Sequence, residues 1–175
     1  MRASIFKLTH YPHVRFIEKF TSSLYDWFLL LRVENLCHSN RKKIFMPYNQ
    51  LTAEEERVIV NKGTEMPFTG EYDRLFSPGT FICRRCNNPL YSAEAKFNAG
   101  CGWPSFDEEY SNSVERHVDR DGRRTEILCA HCHAHLGHVF EGEGFTEKDT
   151  RHCVNSLSIR FIPEGKELPP VLDAD

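Results

Sequence analysis

Two C-x-x-C pairs constrain this chain more than any other feature. Cys83 and Cys86 form one, Cys129 and Cys132 the other. Four thiolates in two such pairs are the ligand set of a closed, tetrahedral structural zinc site. The pairs lie 42 residues apart, longer than the usual ribbon spacing. Each pair, however, needs only a tight turn to aim both sulfurs at one metal, so the fold must bring two distant turns together. One zinc ion is expected there, stapling strand ends in a small β-rich domain and contributing folding energy. Two independent redox motifs, or four buried thiols, are the competing readings. His131, His133, His135 and His138 follow the second pair closely, so a three-histidine catalytic zinc is conceivable from composition. It would leave four cysteines unexplained, and His131 sits inside the second turn.

Three of the seven cysteines fall outside that set. Cys153 lies in Arg151-His152-Cys153-Val154-Asn155, between cationic neighbours that lower a thiol's pKa and raise its thiolate fraction. It is the candidate nucleophile. Cys101 lies in Gly100-Cys101-Gly102-Trp103-Pro104, a flexible turn beside a large indole. An oxidised Cys153 would need a second thiol within reach, and Cys101 is the leading one in the main domain; a glycine turn pinned by a core tryptophan is the bland alternative. Cys37 has no assignable partner. His135 and His138 could supply protons near neutral pH.

Charge divides the 175 residues. Residues 1–45 hold eight Lys/Arg against three Asp/Glu; the whole chain carries −3, so the remainder carries −8. An acidic main domain argues against nucleic acid as a partner. The longest apolar run, Trp27 to Leu31, is far short of the ~18 residues of a membrane-spanning helix. The odd cysteine count and the C-x-x-C pairs favour a reducing compartment, and a cytoplasmic location is expected. Residues 1–45 form an N-terminal extension in which Ile17, Phe20, Leu24, Phe28 and Leu31 recur at helical spacing. It is basic and acid-poor, as targeting peptides are; the alternative is an extension without function ahead of a start at Met46.

Residues 46–163 form the main domain. Thr52 and Glu55 make a capping box and Gly63 a stop, so 53–62 reads as a short helix. Val114–Asp119 and Arg124–Cys129 flank Asp121-Gly122, a hairpin signal, and 141–144 is another turn. Leu157, Ile159 and Phe161 alternate with Ser158 and Arg160, as in a half-buried strand. A strand extended back to Cys153 would turn Cys153, Asn155 and Leu157 to its buried face. Residues 164–175, with Pro169-Pro170, read as a loose tail.

Taken in order, the motifs resemble the B-type methionine-sulfoxide reductases, which act on the R epimer. They are Gly63-Thr64-Glu65 with Pro67-Phe68-Thr69-Gly70, Cys83/Cys86, Gly100 to Phe106, Cys129/Cys132, His135 to Phe140, and Arg151-x-Cys153-x-Asn155. The resemblance runs from about Tyr48 to Pro163 and leaves residues 1–45 unmatched. It implies a mainly β, compact domain of two antiparallel sheets with a short N-terminal helix, the zinc lying away from the active site. It also implies roles: Cys153 catalytic, Cys101 resolving, Trp103 a pocket wall for the substrate methyl group. His135 and His138 would hydrogen-bond and protonate the sulfoxide oxygen, Asn155 would support them, and Arg151 would favour the thiolate. His152 is given no role. The implied substrate is methionine-R-sulfoxide, free or in proteins, with a thioredoxin-like dithiol as reductant, no membrane partner and a monomer expected. The alternatives are a zinc-stapled, non-catalytic binding module and a zinc hydrolase built on the histidines.

Overall fold

A computed structural model describes residues 47–173. The helical periodicity, the leader-like charge and Cys37 lie outside the described residues. Where the chain enters, Thr52 caps helix α1 (Ala53–Ile59). Its hydroxyl accepts from the Glu55 amide at 3.2 Å and the Glu55 carboxylate accepts from the Thr52 amide at 2.8 Å, the capping box the sequence calls for. Three glutamates occupy the first turn, where the helix dipole favours them, and Val58 and Ile59 turn inward. The helix ends four residues before Gly63; Lys62 takes the left-handed conformation instead, at φ 56°.

Among the described residues nine strands follow: β1 (Gly79–Cys83), β2 (Pro89–Ser92), β3 (Lys96–Phe97), β4 (Ser105–Phe106), β5 (Val114–Val118), β6 (Thr125–Cys129), β7 (His135–Glu141), β8 (Thr150–Val154) and β9 (Ile159–Pro163). They build two antiparallel sheets, one ordered β2-β1-β9 and the other β3-β4-β8-β7-β6-β5. The mainly β architecture with one short helix is therefore observed. The β5–β6 hairpin is present with Val118 opposite Thr125, and a wider loop than a two-residue turn joins its strands. Between the sheets Phe81 of β1 packs edge-on against Phe106 of β4 at 5.0 Å, and Tyr91 of β2 stacks on Phe106 at 4.3 Å. Ile127, Leu136, Val154 and Ile159 complete the core. Burying one such side chain is worth roughly 1.5–3 kcal/mol, so these contacts carry most of the cohesion between sheets.

Two expectations need correction. The stretch from Cys153 to Phe161 is not one strand. β8 ends at Val154, a 3-10 turn occupies Ser156–Ser158, and β9 belongs to the other sheet. The break is held by Glu65, whose buried carboxylate accepts from the amides of Ser156 at 2.6 Å and Leu157 at 3.0 Å. Those satisfied amides let the chain leave one sheet for the other at little cost. Cys153 accordingly opens the outer face of β8, because His152 and Val154 are the fully buried neighbours. The tail is not loose at residues 170–172 either. The Leu172 amide donates to Cys86 O at 2.8 Å, the Asn87 side chain donates to Pro170 O at 2.9 Å, and the Leu172 side chain is buried. Among the described residues no helix is long and apolar enough to cross a membrane.

Candidate active site and metal centre

The two C-x-x-C pairs meet. The sulfurs of Cys83, Cys86, Cys129 and Cys132 all lie within 4.8 Å of one another and all four residues are buried. Like turns present them. After Cys86 and after Cys132 the chain enters the left-handed region, at Asn87 (φ 65°) and His133 (φ 56°). The Asn87 amide then donates to Cys83 O and the His133 amide to Cys129 O, both at 2.8 Å. Sulfur–sulfur separations of 3.6 Å join Cys83 to Cys132 and Cys86 to Cys129. Packed so closely, the thiols perturb one another. Hydrogen bonds to Cys129 and Cys132 push Cys83 well up, while those from Cys132 and Cys83 draw Cys129 down. Four thiolates could coexist in such a space only around a cation. The cluster is the one group of potential metal ligands among the described residues. His131 points elsewhere, hydrogen-bonded through Nε2 to Leu172 O at 2.9 Å, and His133 is exposed.

The other predicted residues converge on a cleft of about 130 Å³ walled by Trp103, Gly137, His138, Phe140, Cys153 and Asn155, with Thr64 and Arg124 at its rim. Strand register explains the meeting. On β8, Cys153 pairs with Ser105 of β4 on one side and His138 of β7 on the other. Gly137 permits that close approach, since a Cβ there would collide with the Cys153 carbonyl oxygen. Asn155 is a brace: its Oδ1 accepts from the Glu65 amide and its Nδ2 donates to Leu136 O, both at 3.1 Å. The Trp103 indole N–H donates to Glu65 O at 3.2 Å, fixing the ring over the cleft.

Cys101 contacts Ser105, the register partner of Cys153 on the neighbouring strand, so the two thiols are neighbours and each perturbs the other. Gly102 is in fact pinned, its carbonyl accepting from the Phe68 amide at 2.8 Å. Around the Cys101 sulfur stand Ser105 Oγ at 3.5 Å and Arg151 Nη1 at 3.6 Å. The neighbouring Cys153 thiol draws Cys101 down to about 5, against its burial and with help from Ser105, the Trp103 backbone and Arg151. Cys153 is pushed up by Cys101 and by burial, although the Arg151 charge pulls it down. One thiol of the pair is thus favoured as a thiolate at the expense of the other. Arg151 itself is a nearly buried guanidinium, clamped to Glu143 at 2.6 and 2.9 Å and stacked 4.5 Å over Phe140.

The two histidines differ. His138 borders the Cys153 cleft, and its Nε2 lies 2.9 Å from Asp119 Oδ2. His135, only 2% exposed, lies in an adjoining hollow with its Nδ1 2.7 Å from Glu126 Oε1 and its Nε2 buried without a partner. Burial lowers the His135 pKa against the pull of Glu126. The two rings meet edge-on at 5.7 Å. His152 is wholly buried on the opposite face of β8, hydrogen-bonded to the Tyr91 hydroxyl at 3.1 Å and paired with Glu109 at 3.1 Å. That hydrogen bond draws Glu109 down to about 2. Sequence inspection gave no role to Glu65, Asp119, Arg124 or Glu126. Each is a charged residue in a turn or at a strand start, where a solvated surface is the ordinary expectation.

The SelR domain family model matches residues 51–163. Peptide methionine sulfoxide reductase B3, chloroplastic, from Oryza sativa subsp. japonica is 54% identical over 118 residues, covering 67% of this chain and 52% of the relative. Peptide methionine sulfoxide reductase B2, chloroplastic, from Arabidopsis thaliana is 51% identical over 119 residues, 67% of this chain and 59% of the relative. Peptide methionine sulfoxide reductase B5 from Arabidopsis thaliana is 54% identical over 114 residues, 65% of this chain and 82% of that protein. The chain therefore spans little more than half the length of the two chloroplastic relatives and most of the third. All the motifs that build the cleft and the four-cysteine cluster fall inside the matched span, and by that match this chain belongs to the SelR-domain family, a homologue of peptide methionine sulfoxide reductase B proteins.

Proposed function

We propose that this protein reduces methionine-R-sulfoxide to methionine by thiol chemistry at Cys153. One observation supports it above the rest: two half-buried thiols are neighbours beside an arginine, and one of them, Cys153, lines a small cleft with an aromatic wall and a histidine. The sulfoxide methyl group packs on Trp103, and the substrate oxygen faces His138. Cys153 attacks the substrate sulfur as the thiolate, the form that the Arg151 charge favours. The oxygen passes to the Cys153 sulfur. The sulfoxide gains the electron pair that the thiolate loses, and a proton from His138 ends on the sulfenic oxygen. Cys101 then attacks the sulfenic acid, water leaves, and a Cys101–Cys153 disulfide remains for a thioredoxin-like dithiol to reduce. Asn155 and Trp103 orient the site through Glu65, and Arg151 stabilises the anionic pair. Preference for the R epimer is supported by the family membership.

We assign the four-cysteine cluster to one zinc ion. Zinc–thiolate bonds of about 2.3 Å in a tetrahedron set sulfurs about 3.8 Å apart, and the observed 3.6 Å contacts fit. The bound ion supplies folding energy and no chemistry, since all four of its positions are filled by Cys83, Cys86, Cys129 and Cys132. We divide the chain at 46 and 163, with the reductase domain between. The basic residues 1–45, together with the location printed in two relatives' names, support an organelle-directed leader over the cytoplasmic expectation. Sequencing the N-terminus of the protein recovered from its cells tests that assignment.

The functional test is chemical trapping. One equivalent of methionine-R-sulfoxide added to reduced, metal-loaded protein should yield one peptide pair linking Cys101 to Cys153. A product in which Cys153 stays reduced would overturn the proposal.

A further inference from the structure

The β5–β6 hairpin tip carries a chain of short contacts that ends on His138, and the proposed reaction does not use it. Asp119 presents both carboxylate oxygens inward. Oδ1 accepts from the Arg120 amide at 2.6 Å; Oδ2 lies 2.9 Å from His138 Nε2 and 2.8 Å from Arg124 Nη2. Arg124 is held in turn by Asp121, whose Oδ2 accepts from its Nε at 2.7 Å. Asp121 Oδ1 also accepts from the amides of Arg123 and Arg124 at 2.8 and 3.0 Å, which closes the turn on itself. These bonds shape the tip into a cradle, and Arg124 also lines the Cys153 cleft.

A carboxylate that accepts one ring N–H decides which imidazole nitrogen is left for other work. With Nε2–H donated to Asp119, His138 has Nδ1 to offer, and Nδ1 makes no hydrogen bond among the described residues. His135 is wired the other way round, through Nδ1 to Glu126, and its free Nε2 is sealed from solvent. The two imidazoles of one strand are therefore set in opposite orientations by two different carboxylates, and only His138 borders the reacting sulfur.

We propose that Asp119, locked by Arg124, is the positioning residue of the proton donor, holding His138 so that Nδ1 delivers the proton to the sulfoxide oxygen. This rests on the reductase reading. The carboxylate neither touches substrate nor leaves its ion pair; it fixes ring orientation and stabilises the imidazolium until the proton is given up.

The test uses the full chain with its metal, pre-reduced, in single turnover with methionine-R-sulfoxide, beside alkylation of the same thiols by iodoacetamide. Alkylation needs a nucleophile but no proton donor. Asp119→Asn should slow sulfoxide reduction on the order of 10- to 100-fold, part of the ~10²–10⁴ a general acid supplies, and leave alkylation within about twofold. The loss should fall on kcat more than KM. Asp119→Glu should restore part of the rate, and Arg124→Gln should show the same pattern more weakly. In a His138→Asn background, Asp119→Asn should add little, because the two act as a unit. Full reduction rates in Asp119→Asn would overturn the proposal, as would equal losses of reduction and alkylation, the mark of a merely structural role. Absence of reduction by the unaltered protein would sink the functional reading instead.

Discussion

Six of the described cysteines form two clusters that share a side chain and little else. The Cys83/Cys86/Cys129/Cys132 group is sealed in the core, each pair on a turn whose amides are already bonded. The Cys101/Cys153 pair is half-buried at a cleft, with an arginine, a serine and a backbone carbonyl around it. Four buried thiols packed together suit a metal, whereas one open side and one cation are the surroundings that favour a reactive thiolate. The same contrast separates the arginines from the cluster chemistry. Arg85 donates to the Cys132 carbonyl at 3.3 Å and so braces a turn, whereas Arg151 addresses a sulfur directly at 3.6 Å.

Breaking the metal cluster should have the largest effect. Cys86→Ser, or stripping the metal with a chelator, removes folding energy on the order of 10 kcal/mol, as structural zinc sites supply. Loss of cooperative unfolding in calorimetry would register it, and an unchanged transition would mean that the four thiols are only a packed core. Cys153→Ser should leave metal content and unfolding unchanged while cutting single-turnover reduction at least about 10³-fold. Cys101→Ser should still reduce one equivalent of sulfoxide but fail to cycle with a dithiol. Its Cys153 should also alkylate faster at neutral pH, because the Cys101 thiol that pushes it up is gone.

The pH dependence sharpens the comparison further. Cys101 is drawn down to about 5, so its thiolate persists as pH falls and is lost only near that value. An ordinary thiol, at about 8.5, would already be protonated at neutrality. Iodoacetamide labelling of Cys101 followed by peptide mapping should therefore show a midpoint near 5, and a midpoint above 8 would place the resting charge elsewhere. Removing residues 170–175 should have the smallest effect. It exposes Leu172 and frees the groups that bond Cys86 O and Asn87, about 2–3 kcal/mol by thermal unfolding.

The four-cysteine cluster, the helix cap and the two sheets were legible because each rests on local chemistry or on a specific family pattern. Thr52 and Glu55 signal a helix start by themselves, and a C-x-x-C pair signals a turn. The path after Cys153 was not legible. Alternation from Leu157 to Phe161 is real, but its backward extension is broken by Glu65, which lies 91 and 92 positions before the Ser156 and Leu157 amides that it binds. No window of sequence contains both. Asp119 and Glu126 were missed for the same reason. On a hairpin they look like solvated charges, and only the register of β6 against β7 sets Glu126 across from His138 and brings the hairpin tip to that ring. The tail was misjudged from its prolines, although Pro170 lends its carbonyl to Asn87.

The most direct test of the division between the two clusters is a single-turnover assay with separated R and S epimers of a methionine-sulfoxide substrate, counting thiols before and after in pre-reduced, metal-loaded protein. Methionine should form from the R epimer only, with two thiols lost per methionine and the four cluster thiols untouched. No methionine from either epimer, from folded and metal-loaded protein, would contradict it and leave a metal-stapled binding domain.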